Sequence, residues 1–294
     1  MILLLQTLIF GLLVGGVYAL MSSGFTLTFG VMKVLNLAHA ATIVLAAFLT
    51  SWLWDHTGID PLVVGVVLTP VMYVVGWLFY KLVIARTERI DHELTMVATF
   101  GAAIAAGGVM SLIWGTEVRV VTPSYFNSSI KLGDIVIPHA QMYACFGALV
   151  ILGALYALLH GTFLGRAIRA CSANRDSASL VGVDVDRTMA QMFAIGAATA
   201  GFAGAALSVL YNFVPDSHFV WIGRVLCVVI LGGLGSFLGA ALGAAILGIS
   251  EALTAAYVDT RWSTAVPYML IIAILIVMPQ GLLGGKVRPD GARA

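Results

Sequence analysis

Residues Trp221 to Tyr257 read WIGRVLCVVILGGLGSFLGAALGAAILGISEALTAAY. The run is apolar from end to end, yet Gly232-Gly233-Leu234-Gly235-Ser236 is a poor helix interior and a good place for a break. The stretch therefore divides into a short helix, Trp221 to Leu231, and a longer one, Phe237 to Tyr257. The first is too short to cross hydrocarbon alone. It is expected to pack inside protein, where interrupted backbone is tolerated. This division decides how often the chain crosses a membrane and on which side it ends.

The setting follows from composition. The chain has 294 residues, of which 61% are apolar and 10% charged, against about 25% charged in a soluble domain. Mean hydropathy is +1.02. There is too little charge to cover a soluble core of this size, so disorder, a secreted disulfide scaffold and an ordinary soluble enzyme are excluded. An all-α polytopic helical bundle remains, with lipid covering most of its surface. The formal charge of +1 includes no polybasic block, so no nucleic-acid partner is expected. Cys145, Cys171 and Cys227 form no CxxC, and the first and last lie in apolar runs, which suits small hydrophobes rather than a disulfide or metal site. The opening MILLLQTLIFGLLVGG lacks a positive n-region and runs on past the length of a signal core, so it reads as a retained span.

A helix needs about 20 apolar residues to cross the bilayer. Charges mark out candidate spans at Met1–Met32, Val34–Trp54, Pro61–Tyr80, Leu94–Thr116, Ile135–Gly165, Thr188–Pro215, Val225–Ser250 and Trp262–Gly285. Positive charge collects on the cytoplasmic side. Lys81, Arg86 and Arg89 sit in one loop, Arg166, Arg169, Arg175 and Arg187 in another, and Lys286, Arg288 and Arg293 in the tail. All three groups belong inside. Eight crossings put the tail outside. Breaking the chain at Gly232 to Ser236 gives nine, with the N-terminus outside and the C-terminus cytoplasmic. With Lys33, the inside then holds eleven of the 15 positive residues, leaving Arg119, Lys131, Arg224 and Arg261 outside. Eight crossings with a re-entrant loop is the alternative. One transmembrane domain, 1–294, is expected, with a cytoplasmic loop at 161–187. In the exterior loop, Asp134 to Pro138 reads as a short extended piece.

GFTLTFGVMKVLNLAHAATIVLAAFL, near the N-terminus, echoes the interrupted pattern around Gly232 to Gly248. Paired interrupted helices in the two halves of a transporter point to a midplane site. Gly235, Gly239 and Gly243 recur every four residues, as Gly11 and Gly15 do, baring one helix face for close packing. Asn36 is placed to cap the second span by accepting from the N–H of Ala38 or His39. His39 either lines a permeation path or bonds a neighbouring helix. Glu251 either faces the exterior mouth or is solvated at the interface.

The inner loop GRAIRACSANRDSASLVGVDVDR, Gly165 to Arg187, reads as one amphipathic helix from Ala167 to Leu180. Gly182 ends it, and Asp184 or Asp186 caps the next span. It is either an interfacial helix or a docking element for a cytoplasmic subunit. No HExxH, GxSxG or P-loop is present, and no two carboxylates fall together inside a span, which argues against an intramembrane enzyme. Ion coupling in a stand-alone channel or secondary transporter needs intramembrane ionisable groups, and few are available. A purely structural or assembly subunit is the third class.

Four segments, in order, carry a resemblance over essentially the whole chain: Gly11 to Ala40, Gly165 to Arg187, GGLGSFLGAALGA at Gly232 to Ala244, and VPYMLIIAILIVMPQGLLG at Val266 to Gly284. Together they resemble the LivH-like high-affinity branched-chain amino acid permeases of ABC importers. The resemblance implies a multi-pass permease subunit in the bacterial inner membrane and not an enzyme. It implies a second related permease, two cytoplasmic ATPases and a periplasmic solute-binding protein as partners, with ATP and Mg on the ATPases and no cofactor on this chain. By this analogy Ala173, Asn174, Arg175, Asp176, Ala178 and Gly182 fall in a helix that contacts an ATPase. The interrupted segments, with Gly30, Asn36, His39, Gly232, Gly233, Gly235 and Ser236, line or gate the translocation path, and a half-helix N-terminus receives a substrate carboxylate. Ala40-Ala41 stands where the family often has a glycine after Ala-His. Relatives also move urea, short amides, aromatic acids and other small acids, so these are the alternative cargo.

Overall fold

The computed structural model describes residues 1–88 and 90–284. Its helices are α1 (Ile2–Met32), α2 (His39–Thr57), α3 (Pro61–Phe79), α4 (Ala85–Thr87), α5 (His92–Trp114), α6 (His139–Gly161), α7 (Phe163–Ala173), α8 (Arg175–Leu180), α9 (Val185–Leu210), α10 (His218–Gly232), α11 (Phe237–Tyr257), α12 (Thr260–Ser263) and α13 (Val266–Val277). A π-helical turn, Tyr80–Ile84, joins α3 to α4. Among the described residues, seven helical runs are long and apolar enough to cross a membrane. The protein is a polytopic, multi-pass helical membrane protein.

Helix starts follow local chemistry. Asp60, Asp91, Thr162, Asp184 and Ser236 each accept a hydrogen bond from a first-turn N–H of the helix that follows, satisfying donors that a helix start leaves open. Asp60 also accepts from the Tyr125 hydroxyl at 3.3 Å, joining the loop between α5 and α6 to α3. Burial and the Asp60 charge push that phenol above its ordinary range.

The core is built around α9. Its apolar window is 94% buried, whereas that of α5 is 22% buried. Small residues bring its backbone close to three neighbours. Gly201 lies against Leu68 and Thr69 of α3, Gly204 against Ile43 and Ala46 of α2, and Gly196 against Gly24 of α1. Close packing of small side chains is the usual source of helix association in lipid, where no hydrophobic drive exists between helices.

The second antiparallel pair is α1 with α11. Gly11 meets Gly248 and Ile249, Gly15 meets Ala244 and Ala245, and Gly30 meets Gly235. The N-terminal end of α1 thus lies with the C-terminal end of α11. Beside them α10 and α11 form a hairpin, with Gly232 against Gly239 and Val228 against Gly243. The expected break is present. It runs from Gly233, with φ +99°, to Ser236, which caps α11. The short helix starts earlier than the expected Trp221: α10 begins at His218, and with the 3-10 turn Pro215–Ser217 before it forms an 18-residue run that is one of the seven long enough to cross, with more than half of its apolar window buried.

Several expectations change. The last span is shorter than Trp262–Gly285, because α13 stops at Val277. The chain then turns back, and the N–H groups of Leu282 and Leu283 donate to the carbonyls of Leu231 and Gly232 at 2.9 and 3.0 Å. The Pro-Gln-Gly-Leu ending thus satisfies carbonyls that the end of α10 leaves open. The second span begins at His39, not Val34, since Lys33 adopts φ +59° and ends α1. Asp134 to Pro138 is extended as expected, mostly as β2 (Ile135–Pro138), which pairs antiparallel with β1 (Ser129–Leu132). The two breaks differ in their surroundings. The α10–α11 break folds a hairpin, while α2 leaves α1 to pack on α9. Arg89 and the tail cations Lys286, Arg288 and Arg293 lie outside the described residues.

Candidate functional site

The loop at 161–187 is two helices, α7 and α8, not the single one expected from Ala167 to Leu180. Asn174 separates them, with φ −163° and ψ 118°, and its side chain accepts from Ser177 N–H at 2.8 Å. An asparagine satisfies the start of a new helix better than it continues an old one. Gly182 has φ +84° and follows the end of α8, as expected. Asp184 caps α9 through Arg187 N–H at 2.9 Å.

This loop is tied to the transmembrane helices at two points. Ser172 Oγ donates to Gly30 O at 3.0 Å. Arg175 makes an ion pair of 2.6 Å with Glu88, which follows α4 in the loop before α5. Ala178 is buried, and Ala173, Asn174 and Asp176 are exposed. Leu180 and Val181 stand 87% and 78% exposed at the tip. Two large apolar side chains at the end of a polar helix are a surface for something to cover. Cys171, beneath the loop, has its thiol pushed up by burial, with the Arg175 charge opposing.

The residues assigned to the path fall into three places. Gly30 and Gly235 meet: a Cβ on Gly235 would stand 3.0 Å from Gly30 Cα, and Gly235 itself has φ +84°. They border a cavity of about 240 Å³ that also touches Leu159, Arg169 and Ser172. Gly232 and Gly233 are instead packed against Gly239 and against Gly281 and Gly284, and Ser236 caps α11 through Gly239 N–H at 3.0 Å. Gly235 precedes α11, so it does not share a helix face with Gly239 and Gly243.

Asn36 and His39 line a separate cavity of about 150 Å³ between α2, α3, α5 and α9. His39 Nε2 bonds Met21 O at 2.9 Å, so the ring both bridges to α1 and borders the cavity. Asn36 does not cap α2 with its side chain. His39 N–H donates to Asn36 main-chain O at 3.2 Å, and Asn36 Oδ1 is buried with no partner.

Residues 7–275 match the model of a family described as the branched-chain amino acid transport system / permease component. The chain belongs to this permease family. It is 30% identical to the high-affinity branched-chain amino acid transport system permease protein LivH of Escherichia coli K12, over 97% of this chain and 96% of LivH. It is 28% identical to the corresponding protein BraD of Pseudomonas aeruginosa over the same shares. It is 33% identical to the permease protein LivM of Salmonella typhimurium over 41% of this chain and 28% of LivM. No solved structure matches this permease.

The permease also holds a cluster that reading the sequence did not assemble. Glu251 is buried, neither at an open mouth nor solvated. It accepts from Tyr18 O–H at 2.5 Å and from Arg224 Nε at 2.9 Å. The hydroxyls of Tyr18 and Tyr211 lie 3.0 Å apart, and the Arg224 guanidinium sits 4.8 Å from the Trp221 ring centre. Arg224 is therefore part of the buried bundle and not an exterior loop charge. The signal was available: both charges flank the glycine break in an otherwise uncharged run, and folding a hairpin there brings them level.

Proposed function

We propose that this chain is the membrane-spanning permease subunit of an ATP-driven importer in a bacterial inner membrane, carrying branched-chain or related hydrophobic amino acids. It works with a second, related permease, two cytoplasmic ATPases and a periplasmic solute-binding protein; ATP and Mg bind the ATPases. The similarity to LivM supports a related second subunit.

One observation carries the reading. The inner loop presents exposed Leu180 and Val181 outward while Ser172 and Arg175 tie its inner face to Gly30 and Glu88. An ATPase that covers the tip and moves on binding ATP pulls on the Gly30–Gly235 junction through those ties. A ligand shifts a conformational equilibrium only by binding its states unequally, and ATP does so at the partner rather than here. Gly30, Asn36, His39, Gly232, Gly233, Gly235 and Ser236 contribute to the path or its support, and Ala173, Asn174, Arg175, Asp176, Ala178 and Gly182 form the coupling element.

The test is reconstitution of the candidate complex with amino acids, short amides and aromatic acids screened for stimulated ATP hydrolysis. Stimulation by leucine, isoleucine or valine is expected. Stimulation by amides or aromatic acids alone replaces the cargo and leaves the importer. Solute movement by the purified single chain without ATP defeats the importer reading.

A further inference from the structure

We infer that the groove between the end of α3 and the start of α9 holds a phospholipid with a zwitterionic headgroup, its phosphate at Lys81 and Arg187 and its ammonium at Asp184 and Asp186. This goes beyond the importer reading and does not depend on it.

The groove is a cavity of about 720 Å³, within the roughly 300–1,000 Å³ of small-ligand sites. Tyr73, Trp77, Lys81, Asp184, Asp186 and Arg187 are among its lining. Its place on α3 says what it opens beside. Met72 and Gly76 are buried, with Gly76 against Ala194 and Ala197 of α9. Tyr73 and Trp77, about 100° further round the helix, are half-buried and face the cavity. Val74 and Leu78, one step further again, are 54% and 45% exposed. The cavity therefore lies on the edge between the packed face and the face that lipid covers. Depth follows from residue type. Tryptophan and tyrosine collect at headgroup level, with cations just beyond the apolar run. Here Trp77 and Tyr80 lead to Lys81, and Asp184 and Arg187 stand at the start of the apolar run of α9. At the deeper end the Tyr73 hydroxyl and the Gln191 amide form no hydrogen bond among the described residues, and both suit the ester oxygens of a glycerol backbone.

Charge narrows the ligand. Lys81 Nζ sits 3.9 Å from the Trp77 ring centre. Among the described residues neither Lys81 nor Arg187 forms an ion pair, so both remain open to phosphate oxygens, which accept strong charge-assisted bonds. The two cations are balanced by the two carboxylates of Asp184 and Asp186. A lining with no net charge fits a ligand that carries both signs better than an anion alone. Asp184 already accepts from Arg187 N–H at 2.9 Å, but a carboxylate has about four acceptor sites. A carboxylate needs a donor, so the headgroup is a primary ammonium, as in phosphatidylethanolamine, rather than a choline, which has no N–H. A smaller cavity of about 200 Å³ shares Tyr80, Ala85 and Asp186 with this one and reaches Arg175 and Glu88, so the headgroup lies beside the ion pair that ties the two loops.

The experiment uses the full-length chain, delipidated in detergent, and follows its melting temperature as phosphatidylethanolamine, phosphatidylcholine, phosphatidylglycerol, water-soluble glycerophosphoethanolamine or inorganic phosphate is added. A ligand that binds only the folded state raises that temperature. Phosphatidylethanolamine is expected to act at the lowest concentration, and the two soluble compounds to have no effect. In the double variant Lys81→Ala with Arg187→Ala, the concentration needed is expected to rise about tenfold or more, through loss of charge-assisted hydrogen bonds, and native mass spectrometry should count one tightly bound phospholipid fewer. Lys81→Arg with Arg187→Lys restores both readings. If the double variant does not fold, each single variant gives a smaller change of the same sign. An unchanged response in the alanine variants, or no response of the wild type to phosphatidylethanolamine, overturns the site. An equal response to phosphatidylglycerol overturns the zwitterionic assignment, and a full response to glycerophosphoethanolamine or inorganic phosphate replaces the lipid with a soluble phosphate ligand. Each of these outcomes leaves the importer reading standing.

Discussion

The α10–α11 hairpin meets α1 along its length, and two of the contacts work by opposite means. At the inner end Gly235 lies against Gly30, backbone on backbone, and Gly232 lies against Gly239 within the hairpin. At the outer end Glu251 of α11 joins Tyr18 of α1 and Arg224 of α10 in a buried cluster. The inner contact has no directional bond to lose, only space that a side chain would take. The outer contact is directional and charged, and removing one member leaves a charge stranded. The first is suited to a junction that shifts, the second to an anchor that holds. Substitutions at the glycine junction should therefore act by volume, and substitutions at the Glu251 cluster by charge.

The largest effect is expected from Gly239→Leu. Its Cβ would stand 2.0 Å from Gly232 O, a backbone atom that cannot swing aside. Loss of the folded subunit is expected, read as absence of a monodisperse peak in detergent. A folded variant with normal uptake breaks the volume rule. Next is Glu251→Gln, which strands the Arg224 charge. Breaking a buried pair costs about 3–5 kcal/mol, seen as a lower melting temperature, and Glu251→Leu with Arg224→Met together should recover most of it. A double variant no more stable than the single one contradicts the anchor. Gly235→Leu should cost less in stability. Its left-handed backbone adds about 1–2 kcal/mol of strain, and its side chain displaces Gly30. The complex is expected to assemble and uptake to be lost. Uptake at the wild-type rate means that the junction does not gate.

Much of this was legible from residue order. Charge scarcity identified lipid as the setting, charge position marked out the loops between spans, and the run Gly232 to Ser236 located the break. What was not legible depended on partners far apart in the chain. Asn36 could be given a capping role because that rule is local, and the structure instead buries its oxygen without a partner, beside residues of α5 and α9 that no local rule brings there. Asn174 was passed over because helix periodicity continues through it, although its side chain starts a new helix. Glu251 was read from its own position alone, whereas its burial depends on Tyr18, 233 residues away. The last span was drawn too long because its end was set by the next charge, past Gly285, whereas the chain already turns after Val277 and gives the N–H groups of Leu282 and Leu283 to the end of α10.

The central claim is that an ATPase drives this bundle through α7 and α8, and Arg175 is where that claim is most exposed. Its ion pair to Glu88 joins the two inner loops at 2.6 Å, and Arg175→Glu replaces attraction with repulsion. The decisive measurement is cargo-stimulated ATP hydrolysis by the reconstituted complex carrying this change. The account predicts basal hydrolysis without stimulation, or a complex that loses its ATPases. Stimulation at the wild-type level contradicts it.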